Sequence, residues 1–190
     1  MSARLVGGVA VTLLLVGCAE TGGISLPTQR KGSGAASDGR VAQASSAPGA
    51  GCHYRQAADG QTLPDPSCTP GVTNPAVTQA AISSTICLRG WTKTIRPPAS
   101  VTEPQKRESM RRYGARGPAG AYEFDHLIPL ELGGAPDDLR DLWAEPGASP
   151  NAKDAVEQVL NQAVCARRLN LIEAQRRIAA DWTTAVQGAV

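Results

Sequence analysis

Apolar residues recur at helical spacing in two stretches near the C-terminus. The first stretch follows Ser149-Pro150-Asn151, where asparagine is a favoured helix N-cap. Its apolar members are Ala152, Val156, Val159, Leu160, Ala163 and Val164. The second stretch, from about Leu171 to Val186, has Leu171, Ala174, Ile178, Trp182 and Ala185 at similar intervals. This spacing predicts two amphipathic helices whose apolar stripes pack on each other and on neighbouring strands.

Shorter patterns predict a hairpin and further elements before these helices. Tyr122 to His126 is expected to form one strand, which leads towards a Gly133-Gly134 turn, and residues 139–144 are expected to form the returning strand. A helix is expected from about Thr102 to Tyr113, whereas Cys87 to Thr92 is expected to be extended. Helices around a small hairpin indicate an α+β domain.

The N-terminal part of the chain has the composition of a targeting segment and a tether. Residues 1–17 carry Arg4, an apolar run too short to span a bilayer comfortably, and small residues before a cysteine. Residues 18–51 are rich in Gly, Ser, Ala and Pro, which predicts a flexible tether. The folded domain is therefore expected to occupy residues 52–190.

Leu15-Val16-Gly17-Cys18 resembles a bacterial lipobox. The resemblance implies a lipoprotein signal peptide, cleavage before Cys18 and acylation of that cysteine, for example with palmitate. The expected location is the bacterial cell envelope, with the domain in the periplasm or outside the cell. Ala19 after the cysteine favours the outer membrane. An ordinary secretory signal peptide is the alternative.

Export would place the remaining four cysteines in an oxidising compartment, where they are expected to form disulfides. Four cysteines allow three pairings. The favoured pairing joins Cys52 to Cys68, which closes an irregular turn-rich loop, and Cys87 to Cys165, which ties an early segment to a late helix. The longer bridge could stabilise the domain by ~4 kcal/mol on a chain-entropy model. A zinc site is the competing interpretation, but the chain has no CxxC pair.

The charges are balanced overall but unevenly distributed. The chain has 19 Lys and Arg against 17 Asp and Glu, a formal net charge of +2. Residues 89–116 contain eight basic residues against Glu103 and Glu108, whereas residues 122–157 contain nine acidic residues against Arg140 and Lys153. A carboxylate-rich centre beside a basic arm suits a metal-dependent enzyme that acts on a polyanion. Two solvated faces of opposite sign are the alternative.

Asp125 and His126 are the strongest candidates for chemistry. An imidazole is uncharged near neutral pH and can accept a proton from water, so His126 is a candidate general base. Asp125 offers the hard oxygen that Mg²⁺ and Mn²⁺ prefer. Neighbouring residues on a straight strand face opposite sides, so a shared site requires a kink, which the nearby Pro129 allows. His53, the other histidine, is expected to be a surface residue of the cysteine loop.

The motif Asp125-His-Leu-Ile-Pro-Leu-Glu-Leu-Gly-Gly134, followed by Leu142-Trp143 and Asn151-x-Lys153, resembles the HNH, or ββα-metal, endonucleases. The likeness extends to a subfamily of small secreted proteins or lipoproteins and covers roughly Cys87 to Trp182. It implies a hairpin-plus-helix core with flanking helices, and it implies His126 as the base. It also implies Asp125 as a metal ligand.

The same resemblance suggests roles for four further residues. Asp141 stands where the family usually has asparagine, which could alter the loop or bring Asp141 to the metal. Asn151, 25 positions after His126, matches the last metal ligand, although it also fits a helix N-cap. Lys153 and Arg140 are candidates for steadying the phosphate or the leaving oxygen. An exposed helix lysine is the alternative for Lys153.

The expected function is a metal-dependent endonuclease of little sequence preference that cleaves DNA, with RNA as the alternative substrate. One divalent cation is expected, Mg²⁺ or Mn²⁺, with Zn²⁺ or Ni²⁺ as alternatives. The expected partners are nucleic acid and, through the lipid anchor, a membrane. No obligate protein partner is indicated. The alternative function is a binding or structural lipoprotein on a degenerate HNH scaffold without catalysis.

Overall fold

The structure is a computed structural model that describes residues 51–189. The expected signal peptide, Cys18 and nearly all of the expected tether lie outside the described residues. The described part contains two antiparallel hairpins and four α-helices, which confirms a mixed α+β domain. The elements are β1 (Arg55–Gln56), β2 (Thr62–Leu63), α1 (Trp91–Ile95), α2 (Ala99–Arg112), β3 (Tyr122–His126), β4 (Leu142–Pro146), α3 (Ala152–Cys165) and α4 (Leu171–Ala180). In residues 51–189, none of the helices has the length and apolarity needed to cross a membrane.

The hairpin of β3 and β4 carries the motif that the sequence singles out. Its register pairs Glu123 with Glu145 and Asp125 with Trp143. The predicted return strand, residues 139–144, is displaced towards the C-terminus because residues 138–141 form a turn, in which the Asp141 N–H donates to the Asp138 carbonyl at 2.8 Å. The connection between the strands contains a 3₁₀ turn, Leu130–Leu132.

The two C-terminal helices form the main core with the strand connection. Asn151 caps α3: its side chain accepts from the Lys153 N–H, and Asp154 accepts from the Asn151 N–H. This reciprocal arrangement satisfies N–H groups that a helix start leaves free. The buried stripe of α3 and α4 includes Leu160, Val164, Leu171, Ala174 and Ile178. The predicted second helix is shorter than expected, because α4 ends at Ala180 and a 3₁₀ turn, Trp182–Thr184, follows.

Both favoured disulfides are present. Cys52–Cys68 has a Cα–Cα distance of 5.9 Å, and Cys87–Cys165 has one of 5.6 Å across 78 positions of sequence. The first bridge packs with Tyr54, Tyr113 and Trp143 in a second core. The longer bridge fixes the C-terminal end of α3 to the segment before α1.

The expectation of an extended Cys87–Thr92 is wrong, and the helix after it begins earlier than expected. Gly90 adopts a φ of 85°, which turns the chain so that Trp91 starts α1. Two prolines then separate α1 from α2, which begins at Ala99 rather than near Thr102. As a result, Arg96 lies at the joint between two helices.

Asp141 holds the β3–β4 connection in place. Its Oδ1 accepts from the N–H groups of Ile128 at 3.0 Å and Val72 at 3.2 Å, and its side chain is fully buried. Gly134 approaches the same point so closely that a Cβ there would lie 2.5 Å from Asp141 Oδ2 and 1.7 Å from the Ile128 carbonyl oxygen. Only glycine fits that position. Asp141 therefore holds the loop in place, which is the role that the resemblance implies for asparagine.

Burial raises the pKa of Asp141 to about 8, although the two N–H donors oppose the shift. When folding raises the pKa of an acid, the contribution of that acid to stability is fully present at pH values below its pKa in the unfolded state. The contribution is lost as the pH rises through its pKa in the folded state. We therefore predict that Asp141→Asn raises the melting temperature more at pH 8 than at pH 5, by about 3–6 °C. Calorimetry of both proteins at the two pH values measures the difference. An equal effect of the substitution at both pH values would contradict the raised pKa.

Candidate functional site

An acidic cavity of about 100 Å³ lies between β3, α1, the Leu130–Leu132 turn and the first turns of α3. Five carboxylates line it: Glu123, Asp125, Glu131, Asp154 and Glu157. His126 and Arg96 line the same cavity. The adjacent residues Asp125 and His126 both line this cavity, at the point where β3 ends and the chain turns.

His126 has the properties of a neutral base. Only 8% of the residue is exposed, and its Nε2 lies 3.0 Å from the Pro136 carbonyl oxygen. That contact makes Nε2 the proton donor and leaves Nδ1 as an acceptor. Burial lowers the pKa of His126, while the hydrogen bond to Pro136 and the charge of Asp125 oppose the shift. The imidazole is therefore uncharged at neutral pH, as a proton acceptor must be.

Lys153 lies behind the cavity wall rather than on its surface. Its side chain is 1% exposed, and its Nζ lies 2.8 Å from Asp125 Oδ2. The same ammonium pairs with Glu157 and donates to the His126 carbonyl oxygen at 2.7 Å. Burial alone would lower the pKa of Lys153, but Asp125 and Glu157 outweigh it and raise the pKa above its ordinary value. Lys153 is thus a charged internal partner of the strand end.

Two other buried carboxyl groups near this ammonium have raised pKa values. Burial raises the pKa of Glu157 even though Lys153 acts in the opposite direction. On the other side of Asp125, burial and then the charge of Asp125 itself raise the pKa of Glu145 to about 9. Glu145 is therefore protonated at neutral pH.

The candidate metal ligands do not surround a common point. Asp125 lines the cavity but its Oδ2 pairs with Lys153, and Asp141 is buried away from the cavity lining. The Asn151 side chain accepts from the Lys153 N–H at 2.8 Å and donates to Glu123 Oε2 at 3.0 Å. Across residues 51–189, no group of three or more His, Cys, Asp or Glu is arranged to hold a metal ion. The combination of Asp125, Asn151 and Asp141 therefore stays a prediction.

Glu123 and Glu131 are cavity carboxylates that sequence reasoning did not single out. Burial, followed by the charges of Asp125 and Asp154, raises the pKa of Glu123. Burial and the charge of Asp154 raise the pKa of Glu131. Asp154 therefore acts on both residues, and the charge of Lys153 offsets this repulsion only in part. Glu123 could have been found from the sequence, because it stands two residues before Asp125 and residues two apart on a strand point to the same face.

Arg140 and His53 lie elsewhere. Arg140 is exposed and pairs with Asp138 at 2.6 Å, and it does not line the acidic cavity. His53 is exposed in the cysteine loop, where its backbone N–H donates to Asp65. Of the residues proposed from sequence, the structure thus brings Asp125 and His126 to the cavity, with Lys153 directly behind them.

Removing the Lys153 ammonium should leave buried carboxylates without a partner. We predict that Lys153→Met lowers the free energy of unfolding by about 3–5 kcal/mol, because breaking a buried ion pair leaves an uncompensated charge. Urea unfolding at pH 7 measures the loss. Lys93→Met, at an exposed position of α1, is the matched control and should change stability by less than about 0.5 kcal/mol. Equal unfolding midpoints for the two variants would show that the ammonium is not buried among these acids.

Comparison with known proteins identified no relative. No family model, curated protein or solved structure matches the chain.

Proposed function

We propose that this protein hydrolyses phosphodiester bonds of DNA, with RNA as the alternative substrate, and has little sequence preference. The observation that carries the proposal is that His126, whose imidazole is neutral, and five acidic residues line one cavity. Hydrolysis of a phosphodiester requires a base for the attacking water and positive charge for the phosphate oxygens. The motif around Asp125 and its resemblance to the HNH endonucleases support the same reaction.

In this proposal His126 accepts the proton of the attacking water through Nδ1. The Pro136 carbonyl holds Nε2–H and so fixes the tautomer and the orientation of the ring. The Lys153 ammonium contacts both the His126 carbonyl oxygen and Asp125, and these contacts keep the end of the strand in position. Lys153 thus acts as a positioning residue in this proposal.

A divalent cation suits the donor chemistry of the outer part of the cavity, although the carboxylates there are not already arranged around a common point. Glu123, Glu131 and Asp154 offer hard oxygens, and a cation would relieve the repulsion between Asp154 and the two glutamates. Mg²⁺ and Mn²⁺ match such oxygens better than Zn²⁺ or Ni²⁺, which favour nitrogen and sulfur. When bound, the cation would supply positive charge to the phosphate. The inner carboxylate, Asp125, already has the ammonium of Lys153 as its partner.

The proposal places the domain outside the cytoplasm, attached to an envelope membrane through lipid on Cys18. The lipobox-like segment supports the anchor. Two disulfides are compatible with an oxidising compartment.

A binding lipoprotein without catalysis is the second candidate function. It is favoured by one observation: the ammonium of Lys153 already neutralises Asp125, the residue that the resemblance assigns to the metal. In such a protein the hairpin would persist as a scaffold, and the acidic cavity would bind a ligand without cleaving it.

Cleavage of supercoiled plasmid separates the two candidates. We predict that the full chain carrying Cys18→Ser nicks plasmid DNA with Mg²⁺ or Mn²⁺ and stops when EDTA is added. His126→Ala should reduce the rate by about 10²–10⁴-fold, the usual contribution of a positioned base. His53→Ala, at the chain's other histidine, is the matched control and should cleave at the wild-type rate.

Folding of the His126 variant is checked by its melting temperature, and His126→Asn provides a second neutral replacement at this buried position. Plasmid that stays supercoiled with every cation would overturn the proposal and favour the binding protein. Equal nicking by wild type and both folded His126 variants would exclude His126 as the base.

A further inference from the structure

A second cavity borders the other side of His126. Its volume is about 110 Å³, and it lies between the joint of α1 and α2 and the hairpin. Its lining consists of Arg96, Pro97, Thr102, Phe124, His126 and Leu142. Among the described residues that form this lining there is no carboxylate. Arg96 and His126 are therefore shared by an acidic cavity and an acid-free cavity.

The backbone holds Arg96 firmly although its side chain is exposed. Arg96 is the C-cap of α1, where its N–H donates to the Thr92 carbonyl at 3.2 Å. Pro97 and Pro98 follow directly, and α2 begins at Ala99. Proline rings restrict the chain at this joint, so the backbone of Arg96 is held in place before any ligand binds.

The charge of Arg96 has no ion-pair partner within residues 51–189. Several other exposed arginines do have acidic partners: Arg107, Arg111, Arg140 and Arg176. The guanidinium nevertheless lies close enough to His126 to act on it. Burial is the main cause of the lowered pKa of His126, and the charge of Arg96 adds to that effect.

A phosphate would be repelled by the carboxylates of the first cavity that lack a cation beside them, whereas the lining of the second cavity contains no carboxylate. A guanidinium presents two parallel N–H donors that match two phosphate oxygens, and the Thr102 hydroxyl is a further donor in the same lining. We propose that the acid-free cavity binds a phosphate group of the nucleic-acid chain through Arg96, next to His126. Arg96 is then the residue that holds the substrate, and this role rests on the proposed function.

Binding of a fluorescein-labelled single-stranded oligonucleotide, measured by anisotropy in EDTA, tests the site without cleavage. The full chain carrying Cys18→Ser is compared with the same chain carrying Arg96→Gln, Arg96→Lys or Arg168→Gln. Arg168 is the matched control, because it is exposed, has no ion pair within the described residues and lines neither cavity. Far-ultraviolet circular dichroism and melting temperature confirm that each variant is folded.

Arg96→Gln should weaken binding about tenfold, as expected for loss of a charged hydrogen bond. It should also reduce the slope of log K against log salt by about 1. Arg96→Lys should retain the slope and part of the affinity, and Arg168→Gln should change binding less than about twofold. The inference is overturned if wild type does not bind, or if Arg96→Gln and Arg168→Gln bind alike. Binding that depends on Arg96 without plasmid cleavage would support the phosphate site and reject the nuclease.

Discussion

The ammonium of Lys153 holds the centre of this domain together. It lies inside the protein, 2.8 Å from Asp125 Oδ2 and 2.7 Å from the His126 carbonyl oxygen, and it also pairs with Glu157. A buried carboxylate without such a partner would be strongly destabilising. One lysine near the start of α3 therefore joins that helix to the end of β3. His126 lies at the same strand end. The buried ion pair of Lys153 and Asp125 therefore fixes the position of the proposed base.

This contact also divides the site by charge. Asp125 is neutralised from inside, whereas Glu123 and Glu131 have no comparable internal cation among residues 51–189, and the charge of Asp154 raises the pKa of both. In the proposed function the acidic side would take a hard cation, and the acid-free side, with Arg96, would take the phosphate. His126 borders both. A phosphodiester held between positive charges with a neutral imidazole beside it is the arrangement that hydrolysis requires.

Local patterns predicted much of the fold. The start of α3 at Asn151 follows from capping chemistry over three residues, and the packed faces of α3 and α4 follow from helical spacing. The burial of Lys153 could not be predicted, because it depends on Asp125 meeting the helix in three dimensions, and only the partner at Glu157, four residues on, is visible in the sequence. Arg96 was missed for a local reason: Gly90 turns the chain into α1, and an extended segment there would not place Arg96 at a joint.

The position of a bound cation would show whether Lys153 or a metal ion neutralises Asp125. Crystals soaked in Mn²⁺ and measured at the manganese absorption edge would locate the ion by its anomalous signal. We expect a peak among Glu123, Glu131 and Asp154, with the Lys153 ammonium still against Asp125. A peak between Asp125 and Glu157, with Lys153 displaced, would contradict it.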